Sequence, residues 1–330
     1  MLDLQVTIGS LTLNNPVLVA AGTFGYGLEF AKALRLERLG GLVTKTLTLQ
    51  PRCGNPPPRL VETPSGMLNA VGLQNIGLEA FLNDKLPKLR AFRVPVIVSI
   101  LGESTEEVAA MVTQLDGAAG VAAIELNLSC PNIQKRSGLR VEGSGQLPRA
   151  QSSEPRAATP QPAMVAQDAD ATFTIVQAAR QQTAKPLIAK LSPDVTDLAP
   201  IAQAAERAGA CALSLVNTFV GMSIDPATRR SRLGAMTGGL SGPAIRPLAV
   251  YRVWYTAQLT RLPVIGLGGI VRADDALEFF LAGARAVAIG TANFADPRRA
   301  LQILQGLERY LAQQGMTSLQ DLEGAVNRTP

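Results

Sequence analysis

Short apolar segments alternate along the chain with longer amphipathic segments. The apolar segments are bounded by glycine, proline or polar residues, and they cover residues 16–22, 40–46, 94–100, 121–127, 186–192, 210–217, 262–269 and 285–292. Most are separated by stretches with apolar residues at helical spacing, such as TEEVAAMVTQL, LAPIAQAAERAG and ADDALEFFLAG. Continuous apolar runs of this length predict strands that are buried on both faces, as in a parallel sheet.

The sequence predicts eight buried strands that are mostly joined by helices, and eight is the number of strands that closes a (β/α)8 barrel. We therefore predict an α/β fold, a TIM barrel that forms a single domain over residues 1–330. The opening sequence LQVTIGSLTLNN predicts a β-hairpin ahead of the first barrel strand. An open, doubly wound sheet is the alternative architecture.

Composition agrees with a large buried core, because 47% of the 330 residues are hydrophobic and only 17% are charged. The first residues, MLDLQVTIGS, carry neither a basic region nor a long apolar stretch, so no secretory signal is predicted. No apolar run reaches the roughly 20 residues that a membrane span needs. We expect a cytoplasmic protein that does not insert into a membrane.

The net charge of +5 does not indicate a nucleic-acid interface. Residues 134–166 contain five basic and two acidic side chains, so 5 − 2 = +3 of the charge lies there and +2 remains for the rest of the chain. A surface that binds phosphate backbones would concentrate more charge and interleave it with aromatic residues, which make up only 4% here.

The absence of histidine narrows the possible chemistry. A Ser-His-Asp triad, a Cys-His pair and any histidine-ligated metal site are impossible. Cys53, Cys130 and Cys211 lie far apart and form no CxxC pair, so neither a metal site nor a disulfide framework is indicated. A general base must then be Asp, Glu, Lys, Tyr or Cys. This makes Cys130, in the turn after the predicted strand IELN, a candidate, although a buried inert thiol is the other interpretation.

Polar residues end four of the predicted strands. They are Lys45, Asn127, Lys190 and Asn217. In a barrel these strand ends meet at one mouth, where active sites are built. A single lysine at a strand end is usually a solvated loop residue, but two lysines and two asparagines from four strands favour a binding site. Cations and carboxamides together suit a planar, anionic ligand that is rich in amide groups.

Glycines form a second signal near the last two strands. Gly268 and Gly269 follow the seventh predicted strand, and Gly290 and Thr291 end the eighth. Glycines allow backbone N–H groups to approach a phosphate, and these two loops are the usual phosphate site of a barrel. The sequence GGLSG at 238–242 is a further candidate source of donors. Neither a Walker motif nor a dinucleotide fingerprint is present.

Several ordered blocks of sequence, taken together, show a resemblance to one protein family. The blocks are KTLTLQPRCGNPPPRLVETPSGMLNAVGLQN, IELNLSCPN, KLSP, LVNTFVGMSID, TGGLSGPAI, GLGGI and AIGTANFADP. From about residue 3 to 300 the chain resembles the class 1 dihydroorotate dehydrogenases, most closely the catalytic subunit of the NAD-linked (1B) type. The resemblance implies an FMN-containing (β/α)8 barrel that oxidises dihydroorotate to orotate in pyrimidine (UMP) synthesis.

The resemblance also implies partners and leaves two alternatives open. It implies a homodimer of this chain and a separate subunit that carries FAD and an iron–sulfur cluster and passes electrons to NAD. A related oxidoreductase acting on dihydrouracil would share most of the barrel, although such chains often carry ferredoxin-like cysteine motifs that are absent here. A catalytically silent binding barrel would have no need of Cys130 and Asn127, and both are present.

The family pattern, transferred residue by residue, makes Cys130 the base that removes the C5 proton of dihydroorotate while the C6 hydride passes to FMN. The substrate contacts that it implies are Lys45, Asn69, Ala70, Val71, Gly72, Leu73, Asn127, Asn217 and Thr218. The FMN contacts that it implies are Lys45, Thr46, Asn127, Lys190, Val216, Gly242, Gly268, Gly269, Gly290 and Thr291. Two further FMN-facing positions depart from the pattern: Ala21 replaces the usual serine before GTFG, and Ser99 replaces the usual asparagine at the end of the third strand.

Residues 134–166 are predicted to be a flexible insertion in the catalytic loop after the fourth strand. The stretch is rich in Gly, Pro, Ser, Gln and Ala, has no aromatic residue, and shows no apolar period that could fix one conformation. The next helix is expected to begin near Asp168. The five basic residues of the insertion suggest that it steers an anionic substrate toward the site. Docking of a partner and a tolerated insertion without a role are the alternatives.

Overall fold

The computed structural model describes residues 2–129 and 164–326. Within these ranges the strands, in chain order, are β1 (Val6–Ile8), β2 (Leu11–Leu13), β3 (Val17–Val19), β4 (Gly41–Val43), β5 (Leu60–Thr63), β6 (Gly66–Asn69), β7 (Val96–Ile100), β8 (Val121–Asn127), β9 (Leu187–Lys190), β10 (Ala212–Leu215), β11 (Phe219–Gly221), β12 (Ile224–Asp225), β13 (Arg230–Ser231), β14 (Gly238–Ser241), β15 (Val264–Gly266) and β16 (Ala284–Ile289). The α-helices are α1 (Leu78–Ala80), α2 (Leu86–Leu89), α3 (Thr105–Asp116), α4 (Ala169–Arg180), α5 (Ala199–Arg207), α6 (Arg246–Ala257), α7 (Ala273–Leu281), α8 (Ala292–Ala295) and α9 (Arg299–Gln314).

Eight parallel strands close into a barrel in sequence order, namely β3, β4, β7, β8, β9, β10, β15 and β16. The last strand pairs with the first, with Ile289 beside Val19. Each of the eight predicted apolar segments contains one of these strands, except that β16 begins one residue ahead of its segment, and strands such as β7 and β10 are buried along their whole length. The predicted (β/α)8 barrel is therefore confirmed, and the open sheet is excluded.

Helices follow most barrel strands and cover their outer faces. The helix between β3 and β4 is replaced by two 3-10 turns, Leu28–Phe30 and Leu36–Arg38. Between β4 and β7, α1 and α2 are joined by a π-helical segment, Phe81–Lys85. The start of α4 agrees with the sequence, because Asp168 is the N-cap and its carboxylate accepts a hydrogen bond from the N–H of Ala171 at 2.9 Å. The expectation of one domain over the whole chain stays a prediction.

The N-terminal hairpin closes one end of the barrel. β1 and β2 pair antiparallel, as predicted, and their buried side chains pack against residues of the barrel interior such as Ile97, Ile188 and Ile265. Burial of each Val, Leu or Ile side chain of this kind stabilises the fold by roughly 2 kcal/mol. The hairpin thus seals the end where the strands begin, and the opposite end stays open for a site.

A second, antiparallel sheet lies outside the barrel and was not predicted from the sequence. Its strands are ordered β11, β14, β6 and β5, and Asn69 of β6 lies beside Gly239 of β14. A two-stranded sheet of β12 and β13 lies between β11 and β14 in the sequence. Among the described residues, no helix combines the length and the apolar character that crossing a membrane would require.

The predicted insertion falls mostly outside the described residues, as does Cys130. Its last three residues, 164–166, are described, and Val165 and Ala166 are buried. They open a 3-10 turn, Val165–Gln167, in which the N–H of Ala166 donates to the carbonyl of Leu128 at 2.9 Å. This apolar pair packs into the core ahead of α4, and the extent of the insertion, about residues 134–166, stays a prediction.

Candidate active site

A cavity of about 460 Å³ lies at the carboxyl ends of the barrel strands. Loops from several strands and the second sheet form its walls. Nearly all residues predicted for the site line it: Ala21, Lys45, Thr46, Asn69, Ala70, Val71, Gly72, Leu73, Asn127, Lys190, Val216, Asn217, Thr218, Gly242, Gly268, Gly269, Gly290 and Thr291. The volume falls within the range of small-molecule sites. The strand ends therefore converge on one site, as the barrel fold requires.

Ser99 is a predicted site residue that the structure does not place in the cavity wall. It is completely buried, and its Oγ lies 3.0 Å from Oγ1 of Thr46. Its N–H donates to Oγ1 of Thr44 at 3.1 Å. Thr46 lines the cavity and Ser99 does not, so the predicted contact between Ser99 and FMN stays a prediction. The short side chain supports Thr46.

A chain of hydrogen bonds fixes two carboxamides at the cavity wall. Nδ2 of Asn127 donates to Oγ1 of Thr46 at 3.3 Å, and Oδ1 of Asn127 accepts from Nδ2 of Asn217 at 3.3 Å. Oδ1 of Asn217 in turn accepts the N–H of Thr218 at 2.9 Å. Each carboxamide NH₂ carries two hydrogens, so each keeps one further donor for a ligand carbonyl. The orientation of both amides is thus set before a ligand arrives.

Two lysines bring positive charge to the same cavity. Burial lowers the pKa of the Lys45 ammonium, and the neighbouring Arg59 guanidinium lowers it further. Lys190 is buried, and its Nζ lies 3.9 Å from Oε1 of the equally buried Glu125. Among the described residues Lys45 has no ion-pair partner, whereas Lys190 has one. Lys45 is therefore the cation that an anionic ligand can neutralise.

The predicted glycines belong to three loops that line the cavity, and two of these loops are in close contact. Gly242, Gly268 and Gly269 have φ of 93°, 136° and 75°, which side-chain-bearing residues rarely adopt. A Cβ added to Gly269 would lie 2.8 Å from the carbonyl oxygen of Gly242. Within the described ranges, the N–H groups of Gly268, Gly269 and Gly290 donate to no protein acceptor. Backbone donors of this kind suit an anion such as a phosphate group.

Several cavity residues were not singled out from the sequence. They are Ala20, Gly22, Thr23, Leu60, Met67, Ser129, Gly239, Ser241, Ile245, Leu267, Ile270, Val271, Ala292 and Phe294. Of these, Gly239 and Ser241 lie in the GGLSG stretch that was named as a source of donors. Two pairs follow from strand geometry, because residues two apart share a face: Met67 with Asn69, and Gly239 with Ser241. That signal is usable only once the second sheet is known. Ser129 is the residue before Cys130, and it is the last described residue before residue 164. The described part of the chain therefore ends at the cavity wall, next to Cys130.

Comparison with known proteins places the chain among enzymes of one kind. The sequence profile of the dihydroorotate dehydrogenase family matches residues 3–311. The chain is 52% identical over 324 residues to the catalytic subunit named dihydroorotate dehydrogenase B (NAD(+)) of Desulforudis audaxviator, covering 98% of this chain and 97% of that protein. It is 48% identical to the proteins of the same name from Geotalea uraniireducens and Geobacter sulfurreducens, over 324 residues and 98% of each chain.

Proposed function

The chain belongs to the dihydroorotate dehydrogenase family, and from this premise we propose how its cavity divides between substrate and cofactor. It is the NAD-linked type of catalytic subunit, which oxidises dihydroorotate to orotate in pyrimidine biosynthesis and works with a partner subunit. One observation carries the division: two lysines and two fixed carboxamides share a cavity with the glycine loops. The lysines and carboxamides suit the anionic ring, and the glycines suit a phosphate.

The flavin of this family is proposed to be FMN, with its phosphate held by the backbone of Gly268, Gly269 and Gly290. These N–H groups have no protein acceptor among the described residues, and a Cβ added to Gly290 would meet no atom closer than 3.8 Å. The loops thus offer both donors and space. When bound, the flavin supplies the acceptor for the hydride from C6 of the substrate. Its ring would lie along Ala21, Thr46, Lys190 and Val216.

The substrate ring is proposed to lie between the carboxamides and the loop at 69–73. The second amide donors of Asn127 and Asn217 match ring carbonyl oxygens, and Lys45 offsets the carboxylate charge. Asn69 is held in place because its Nδ2 donates to the carbonyl of Gly239 at 3.1 Å. Leu73 has an unusual positive φ of 56°, and Asn75 Nδ2 donates to its carbonyl at 2.8 Å. Backbone strain of this kind, of order 1 kcal/mol, is typical of ligand-binding loops.

Cys130 is proposed as the base that removes the C5 proton. Its neighbour Ser129 lines the cavity, and the N–H of Ser129 donates to Oδ1 of Asn127 at 3.3 Å, which fixes the chain just before the cysteine. A free thiol has a pKa of ~8.5, so the thiolate is a minority form at neutral pH unless nearby cations stabilise it. The lysines of the cavity are such cations. The rate is then expected to rise toward alkaline pH.

The partner subunit is proposed to carry FAD and an iron–sulfur cluster, and this chain is proposed to form a homodimer. The related catalytic subunits are named for NAD(+), so electrons must travel from this cavity to NAD. We propose that the flavin and the dihydroorotate ring together occupy this cavity, so that NAD would bind elsewhere. A second redox centre on another chain provides the route.

The visible spectrum of the purified chain tests the division of the cavity and the substrate together. Anaerobic addition of dihydroorotate is expected to bleach the flavin absorbance, whereas dihydrouracil is expected to leave it unchanged. Mass spectrometry of the extracted flavin separates FMN from FAD. Bleaching by dihydrouracil alone would favour the dihydropyrimidine alternative, and a colourless protein that binds orotate would favour a silent barrel.

A further inference from the structure

Asp275 is a buried carboxylate that joins two of the glycine loops from behind. The residue is 1% exposed, lies in the first turn of α7, and does not line the cavity. Its Oδ2 accepts hydrogen bonds from the N–H groups of Val271 at 2.9 Å and Arg272 at 2.8 Å. Its Oδ1 accepts from Nη1 of Arg246, at the start of α6. One carboxylate therefore holds donors from the loop after β15 and from the loop after β14.

These two loops are the ones that carry the glycines of the cavity. Arg246 packs directly on the loop after β15, because a Cβ added to Gly269 would lie 2.8 Å from Cβ of Arg246 and 3.0 Å from its backbone nitrogen. The same Cβ would lie 2.8 Å from the carbonyl oxygen of Gly242. The loop after β15 and the loop after β14 are therefore packed so closely that not even a methyl group would fit between them at Gly269. A shift of Arg246 or of residues 271–272 must move the N–H groups of Gly268 and Gly269.

The third glycine loop, which follows β16, is held by a hydrogen bond between two side chains. Oγ1 of Thr291 donates to Oγ of Ser241 at 2.8 Å, which links the loop after β16 to β14. The three loops are therefore connected by side chains, in pairs, with Asp275 making the buried and charged connection. A carboxylate removed from water is tolerated only when its partners are in place, so this connection has a single good geometry.

We propose that Asp275 and Arg246 are positioning residues that hold the glycine loops in the geometry required by the flavin phosphate, and so make flavin binding depend on that phosphate. The inference rests on the proposed function, which puts the phosphate at Gly268, Gly269 and Gly290. Neither side chain is required to touch the flavin. A role of this kind predicts a loss that is specific to phosphorylated flavin, which a general loss of stability would not produce.

Two substitutions break the connection in different ways. Asp275→Asn keeps the shape but has one acceptor oxygen, so it cannot satisfy both the loop N–H groups and Arg246. Arg246→Gln leaves both loop hydrogen bonds of Asp275 intact and removes its link to Arg246, together with the ion pair between Arg246 and the more exposed Glu278. Arg285→Gln is the matched control, because Arg285 pairs with Glu323, and neither residue lines the cavity.

The experiment is a titration of the flavin-depleted full chain with FMN and, separately, with riboflavin. Quenching of the flavin fluorescence reports binding. Both variants are expected to raise the Kd for FMN by at least about tenfold, the effect of losing a charge-assisted hydrogen bond, with the riboflavin Kd changed less than about twofold. The control is expected to change neither Kd. Equal losses for both flavins, or no loss for FMN, would overturn the positioning role.

The wild-type titration separates this inference from the proposed function. A wild-type chain that binds FMN and riboflavin equally would overturn the phosphate assignment, and the inference with it. A wild-type chain that prefers FMN, with variants that keep the same preference, would overturn only the inference. Thermal unfolding of each chain identifies a variant that has failed to fold. If Asp275→Asn does not fold, Arg246→Gln decides the outcome.

Discussion

Nζ of Lys190 lies 3.9 Å from Oε1 of Glu125 inside the barrel, and the two side chains are only 6% and 4% exposed. They stand on neighbouring strands, β9 and β8. Among the described residues Oε1 of Glu125 accepts no hydrogen bond, so charge alone holds this oxygen to the lysine. Lys190 also lines the cavity. Glu125 is therefore the counter-ion that allows a cavity lysine to be buried.

Removal of either partner should be costly, because it leaves a buried charge uncompensated. Glu125→Gln and Lys190→Met are each expected to lower the free energy of unfolding by about 3 kcal/mol, and the double variant by clearly less than the sum. Denaturant unfolding of the flavin-loaded chain measures all three. Arg285→Gln, at a half-exposed pair, is the control and should cost no more than about 1 kcal/mol. Additive losses would show that the two charges do not interact.

The lowered pKa of Lys45 predicts a pH dependence of ligand binding. As pH rises through that pKa, below the usual lysine value of ~10.4, the ammonium is lost and anionic orotate should bind more weakly. Arg59→Gln should move the midpoint to higher pH, since it removes a like charge, and Lys45→Met should abolish the dependence. Orotate titration by flavin absorbance measures this, in a Cys130→Ala background so that the thiol does not contribute.

The stability of the ligand-free chain should change in the opposite direction over the same interval. The unfolded chain keeps the Lys45 proton to a higher pH than the folded chain, because burial lowers the folded pKa. Where the unfolded state binds more protons, stability rises with pH. The difference in unfolding free energy between wild type and Lys45→Met should therefore change across this range. A constant difference would contradict the buried lysine.

The barrel and most of the site could be predicted from sequence because both leave strong local signals. Continuous apolar runs marked the eight strands, and polar or glycine residues at their ends marked the mouth. The second sheet left no such signal, because β5 is largely exposed and shows no apolar face. The sheet forms because β6 pairs with β14, and the paired residues Asn69 and Gly239 lie 170 positions apart in the chain. The position of Ser99 behind Thr46 could not be read from the sequence, because family resemblance aligns positions but does not give the reach of a shorter side chain.

Gly290 and Gly268 should respond differently to the same substitution. A Cβ at Gly290 would meet nothing closer than 3.8 Å, so Gly290→Ala should fold normally but place a methyl group where the phosphate is proposed to bind. At Gly268, φ is 136° and a Cβ would lie 2.6 Å from that of Ala249, so Gly268→Ala should lose about 2 kcal/mol of stability or more. Thermal unfolding and FMN titration of both variants measure this. Unaltered FMN affinity in Gly290→Ala would place the phosphate elsewhere.

Substitution of Cys130 tests the proposed base. Cys130→Ala should keep the flavin bound but slow its reduction by dihydroorotate by at least about 100-fold. Cys130→Ser should retain activity mainly at high pH, because a hydroxyl loses its proton much less readily than a thiol and its basic form is scarce at neutral pH. Stopped-flow absorbance measures the reduction step directly. Cys53→Ala, at an exposed thiol, is the control and should reduce at the wild-type rate. Near-wild-type reduction in Cys130→Ala at neutral pH would remove the assignment.

Electron transfer to NAD should require the partner subunit. The related proteins are catalytic subunits of NAD(+)-linked enzymes, and the cavity of this chain is proposed to be filled by one flavin and one dihydroorotate ring. A nicotinamide would then have no access to the flavin, so the two electrons of the reduced flavin would leave through another redox centre. The chain alone, given dihydroorotate, is expected to reduce a dye or oxygen but not NAD. Addition of the partner subunit should restore NAD reduction, and the same mixture made with Cys130→Ala should stay inactive. If the isolated wild-type chain reduced NAD as fast as it reduced the dye, the dependence on a second subunit would be wrong.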